Sequence, residues 1–112
     1  MAHSKVLIVE DDPKSLYAFK SVLQARGFDI VATASAEDAL ACDVSDCDTA
    51  LIDVRLPKMQ GTDLALHLRE KHPSLRIVFV TAYNGVDKIQ ERVARSAVML
   101  KPVDIDSLLR LL

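Results

Sequence analysis

Thr49-Ala50-Leu51-Ile52-Asp53-Val54-Arg55-Leu56-Pro57 runs a mostly apolar segment straight into an acid, with a proline four positions later. An apolar run of this length, between a polar segment and a proline turn, reads as a fully buried strand. Asp53 then stands where the strand leaves the core and meets solvent. A buried, unpaired carboxylate is costly, so the rest of the chain must supply a reason for it.

The 112 residues fit one domain with a single hydrophobic core. Half of them are hydrophobic, which argues against disorder. A net charge of −2 gives no general attraction to nucleic acid or anionic membrane. No apolar run approaches the ~20 residues that span a bilayer. The N-terminus shows no basic segment followed by an apolar block, so no signal peptide is expected and the expected location is cytoplasmic. Cys42 and Cys47 lie in a polar stretch and read as free thiols of a reducing compartment, with a disulfide or metal site as the lesser alternative. His3, His67 and His72 complete no ligand set at a familiar spacing and read as surface residues.

Outward from Asp53, the chain alternates. Lys5 to Val9 is a β-rich apolar run that ends in Glu10, Asp11 and Asp12, then Pro13. Proline suits a first helical turn, and acids before it suit a helix N-terminus; Asp12 is the expected cap. Leu16, Phe19, Val22 and Leu23 recur at helical steps, predicting a helix from about Pro13 to Arg26 with Gly27 beyond it. Phe28 to Thr33 is a second strand. Ser35 and Asp38 resemble a capping box before a short helix through about Ala41. After the Asp53 strand, Pro57 to Gly61 is a loop, and Thr62 is the expected cap of a helix that His72-Pro73 stops. Leu75 to Val80 is a fourth strand leading into Thr81. Asn84-Gly85 signals a turn before a helix over about Val86 to Arg95. Ala97 to Leu100 is a fifth strand running into Lys101-Pro102, and Asp104 caps a last helix rich in leucine. That helix reaches Leu112 with no glycine stop, so it reads as cut short, with an effector domain beyond it as the expectation.

Five strands alternating with five helices imply right-handed crossovers and a parallel α/β sheet covered on both faces. Ligands of such sheets sit at the carboxyl ends of the strands. Collected there are Glu10, Asp11 and Asp12 after the first strand, Asp53 after the third, Thr81 after the fourth and Lys101 after the fifth. Carboxylates about 5 Å apart repel by about 3 kcal/mol per pair at an effective dielectric near 20. Such a group takes up protons or recruits a cation. An all-oxygen donor set favours Mg²⁺, whose shell a substrate phosphate commonly completes. A lysine and a hydroxyl nearby suit phosphoryl oxygens. The composite reads as a site where Asp53, as nucleophile, is phosphorylated.

With "VLIVEDD", "LIDVRLPKMQG", "IVFVTAY" and "MLKPVD" in this order and spacing, the whole chain resembles the response-regulator receiver domains of two-component signalling. The resemblance implies a flavodoxin-like, doubly wound five-stranded sheet of order 2-1-3-4-5. It implies Asp53 as phosphoacceptor, Asp11 as a direct Mg²⁺ ligand, Glu10 as one acting mostly through water, and the Arg55 carbonyl as a further ligand. Thr81 would swing toward the phosphoryl group and Lys101 would pair with it, with a cis Lys101–Pro102 bond. The phosphoryl donor would be a phosphohistidine on a sensor histidine kinase or histidine phosphotransfer protein. A DNA-binding effector is common in the family, and the face of the fourth helix, fifth strand and fifth helix is its usual dimer surface.

The chain departs from that pattern at Val98, where receivers usually carry an aromatic switch residue, and at Ser96-Ala97, where glycine-alanine is usual. Movement of Thr81 is therefore expected to act on the Ala82–Asn84 loop, with Tyr83 as reporter. Arg55 and Tyr83 sit where the family tunes loss of the acyl phosphate to water, and a salt bridge from Arg55 to the acidic cluster is the simpler role. Two enzyme-like or cofactor readings are weaker. A haloacid-dehalogenase-type phosphatase needs an acid at position 55, and a flavin binder needs a phosphate-cradling loop where this chain puts acids. The stronger rival is a receiver-fold interaction module that works without phosphorylation.

Overall fold

The computed structural model describes residues 4–82 and 85–112; His3, Tyr83 and Asn84 lie outside them. Each apolar run forms a strand: β1 (Lys5–Val9), β2 (Asp29–Thr33), β3 (Thr49–Asp53), β4 (Arg76–Thr81) and β5 (Ser96–Leu100). They make one parallel sheet of order β2-β1-β3-β4-β5. Between and after them run α1 (Pro13–Ala25), α2 (Ala36–Ala41), α3 (Gly61–Lys71), α4 (Val86–Arg92) and α5 (Ile105–Leu111). Among the described residues no helix is long and apolar enough to cross a membrane.

Strand side chains alternate between faces, and the core splits accordingly. Val6, Ile8, Leu51, Val78 and Val80 pack with Phe19 and Leu23 of α1 and Leu108 of α5. Leu7, Val9, Ala50, Ile52, Ile77 and Phe79 pack with Ala36 and Ala39 of α2 and with Leu64, Ala65 and Leu68 of α3. The central strands are buried on both faces, which is why they read as unbroken apolar runs rather than as alternating ones.

Local chemistry sets the helix starts. Asp12 caps α1, its carboxylate accepting from the Ser15 amide and hydroxyl. Ser35 Oγ accepts from the Asp38 amide at α2, and Asp104 does the same for Ser107 at α5. The cap expected of Thr62 is not there. Gln60 is the N-cap, without a side-chain bond, and Thr62 is buried inside the first turn of α3. The reason lies at Gly61, which packs against the end of β3. A Cβ there would overlap the Asp53 carbonyl oxygen and stand 2.9 Å from Ile52 Cγ2 and Val54 Cα. Helix α4 ends at Arg92, three residues before the expected Arg95: Val93 is already extended, at φ −121° and ψ 100°, and Arg95 then takes a left-handed φ of 55° just before β5. The Lys101–Pro102 bond is cis.

Candidate functional site

Alternation carries three charged groups to one place. Glu10 follows Val6 and Ile8, Asp53 follows Leu51, and Lys101 follows Ala97 and Met99 on the face covered by α1 and α5. Glu10 and Lys101 lie one residue past their strands. The ladder still holds their backbones, through Glu10 N–H to Thr33 O at 3.1 Å and Lys101 N–H to Thr81 O at 2.8 Å. Thr81 has the opposite parity and faces the α3 and α4 side.

Lys101 Nζ donates to Asp53 Oδ2 at 3.0 Å and to Glu10 Oε1 at 3.1 Å. The other Asp53 oxygen, Oδ1, accepts from the Arg55 backbone N–H at 3.0 Å. Glu10 Oε2 accepts from the Asp12 N–H at 3.3 Å. Asp53 and Glu10 are buried, at 9% and 2% exposure, whereas Asp11 is exposed. Burial, then the hydrogen-bonded Asp53 carboxylate, push the Glu10 carboxyl up to about 7, against the pull of Lys101. Burial draws Lys101 down, but its bonds to Asp53 and Glu10 outweigh this and hold it above the ordinary lysine range.

Among the described residues, Glu10, Asp11 and Asp53 are the group of His, Cys, Asp or Glu whose ligand atoms all lie within 4.8 Å of one another. Crowded carboxylates of this kind, without nitrogen or sulfur, match a hard divalent cation. Cys42 and Cys47 are half-buried free thiols against the core, His67 is exposed and His72 half-buried.

Beside the cluster, Thr81 is buried and lines an open cavity of about 370 Å³ with Val54, Arg55, Gln60, Gly85, Lys88 and Ile89. A second, more apolar cavity of about 270 Å³ runs from Ala18, Phe19 and Val22 of α1 to Lys101, Pro102, Val103 and Ile105. The structure thus gathers Glu10, Asp11, Asp53 and Lys101, with the Arg55 amide against Asp53. Sequence reasoning missed that amide bond and the tight seat of Gly61. Glycine eight positions past the acid was the visible signal for the latter.

The family described as Response regulator receiver domain matches residues 6–112. A cyclic di-GMP phosphodiesterase of Thermotoga maritima is 35% identical over 108 residues, which are 95% of this chain and 29% of that protein. The response regulator protein FleR of Pseudomonas aeruginosa is 35% identical over 111 residues, 96% of this chain and 24% of that protein. The chain therefore spans less than a third of the length of either relative. A CheY-like receiver domain from Methanospirillum hungatei superposes with a TM-score of 0.88 at 28% identity, covering 97% of this chain and 90% of the other. Chemotaxis protein CheY4 of Vibrio cholerae gives 0.88 at 24% identity, covering 99% of this chain and 100% of the other, a likeness of fold. By sheet order, acidic rim and family match, the chain is a member of the response regulator receiver domains of two-component systems.

Proposed function

We propose that Asp53 accepts a phosphoryl group from a phosphohistidine on a sensor histidine kinase or histidine phosphotransfer protein, and that the change is relayed to an output domain or partner. The observation that carries this is the clamp on Asp53: Lys101 Nζ on one oxygen at 3.0 Å and the Arg55 amide on the other at 3.0 Å. The clamp aims the carboxylate while Glu10 and Asp11 stand within 4.8 Å of it.

An Asp53 oxygen attacks phosphorus, the P–N bond breaks, and the imidazole departs with the bonding pair and a proton from solvent. Glu10, Asp11, Asp53 and the Arg55 carbonyl would hold Mg²⁺, which supplies positive charge to the phosphoryl oxygens when bound. Lys101 exchanges its bond to Asp53 for one to the transferred group, and the Thr81 hydroxyl donates a further bond. The apolar cavity between α1 and the segment after β5 opens beside Lys101 and offers a seat for the donor protein. On the other side, the face of α4, β5 and α5 leaves Leu100 at 49% exposure and supports self-association. The two relatives named above are several times longer than this chain, and one of them is named a phosphodiesterase. Another relative is named a transcriptional regulatory protein, and together these support an enzymatic or DNA-binding effector domain as the output.

Treatment with acetyl phosphate and Mg²⁺, followed by intact mass, tests the reading. A single phosphoryl adduct, lost in Asp53→Asn or with chelator, is expected. Absence of any adduct would instead favour a phosphorylation-independent interaction module. Val98, in place of the usual aromatic, is the feature that speaks for that second reading.

A further inference from the structure

Among the described residues, the polar ties of helix α4 gather at its last turn, while Ile89 packs on the core cluster that includes Leu64 and Leu68 of α3. None of the seven residues of α4 is buried, and the helix starts at Gly85, with φ of 119° and no side-chain cap. Its last turn is tied to α3. Arg92 pairs with Asp63 in the first turn of α3. Arg69, later on α3, donates to the carbonyls of Ala94, of Arg95 at 2.9 Å and of Leu75 at 3.1 Å. Gln90 Nε2 donates to Ser96 O at 3.2 Å, closing the same corner. The first turn of α3 is in turn seated on the phosphoacceptor's own backbone. Gly61 N–H donates to Val54 O at 2.8 Å, and a Cβ at Gly61 would overlap the Asp53 carbonyl. Asp53, Gly61, Asp63 and Arg92 thus form a continuous line of contacts from the site to α4.

We propose that the Asp63–Arg92 ion pair is a strut that carries displacement of the Asp53–Val54 backbone through α3 to α4, with the Arg69 guanidinium as the pivot. The strut rests on Asp53 being the phosphoacceptor. Close-packed interiors resist compression, so a shift of the Asp53 carbonyl moves Gly61, and Asp63 follows within the same helical turn. A helix with no buried residue sits at the low end of local stability, so α4 yields rather than α3. This route bypasses position 98, where valine has no ring to swing. Arg92 and Asp63 are 54% and 38% exposed, so their pairing adds little to global stability and can be removed without unfolding the domain.

The test compares wild type with Asp63→Ala, Arg92→Gln and the exchanged pair Asp63→Arg with Arg92→Asp. Hydrogen exchange of residues 86–92 is followed with and without beryllofluoride and Mg²⁺. Intact mass after acetyl phosphate reports Asp53 modification in each protein. Without beryllofluoride, both single variants should exchange about two- to fivefold faster in α4, the range of an exposed pair. With it, they should lose more than half of the wild-type α4 response while keeping full adduct formation, and the exchanged pair should regain the response. An α4 response equal to wild type in both single variants overturns the strut, as does a wild-type α4 indifferent to beryllofluoride. No adduct on wild-type Asp53 overturns the phosphoacceptor reading and the strut with it.

Discussion

Glu10 is where the acidic rim shows its cost. Folding raises its pKa from 4.5 to about 7, first through burial and then through Asp53. Between those values the folded chain binds more protons than the unfolded one, so stability falls as pH rises across the window and levels off above it. Thermal melting in the presence of chelator should therefore drop from about pH 4.5 to about 7, and Glu10→Gln should flatten that slope. A melting temperature that climbs over the same range would contradict the assignment. Saturating Mg²⁺ should reverse the trend, because the ion favours the ionised carboxylate. The gathering of Glu10, Asp11, Asp53 and Lys101 was legible in the sequence, because each lies at or just past the end of an apolar run; Thr81 closes a fourth run but faces the α3 and α4 side. Pairings were not legible. Nothing in "VEDD" says that Glu10 shares Lys101 with Asp53, or that the Arg55 amide rather than its side chain meets Asp53 Oδ1.

Among the elements, α3 owes its position to the absence of one side chain. Gly61→Ala would force a methyl group into the Asp53 carbonyl, Ile52 and Val54. Overpacking of this kind costs about 1–3 kcal/mol. Because the collision is with the backbone of Asp53, phosphorylation should slow as well. Urea unfolding and the rate of adduct formation check the two effects. An alanine variant matching wild type in both would mean that the β3–α3 loop gives way freely. This contact also explains the misplaced cap. A threonine after glycine looks like a helix start, yet packing on β3 pulls the first turn two residues back, to a cap at Gln60, and buries Thr62. The end of α4 was similarly hidden. Its periodic residues Ile89 and Val93 predict a longer helix, but Arg69 captures the carbonyls of Ala94 and Arg95 and the chain leaves the helical path. Long-range carbonyl capture leaves no local signature.

For the molecule as a whole, the strand runs and their alternation with helices foretold an α/β sheet, while strand order came from family likeness rather than from periodicity. Parity then does the rest, since even-numbered residues of β1 and odd-numbered residues of β3 and β5 all point to the α1 and α5 side. That layer closes on α5, whose seven residues are too few to hold a helix in water alone. Leu108 is fully buried beneath it. Leu108→Ala should cost about 2–5 kcal/mol, read as a lower denaturation midpoint, and a change below the error of the titration would mean that α5 is dispensable. The account stands most directly on where the phosphoryl group goes. After reaction with acetyl phosphate and Mg²⁺, borohydride reduction converts an aspartyl phosphate to homoserine, and peptide sequencing by mass spectrometry locates it. The predicted result is homoserine at position 53, dependent on Mg²⁺ and at no other acid. Homoserine at Glu10's neighbours Asp11 or Asp12 instead, or none at position 53 under any Mg²⁺ concentration, would contradict it.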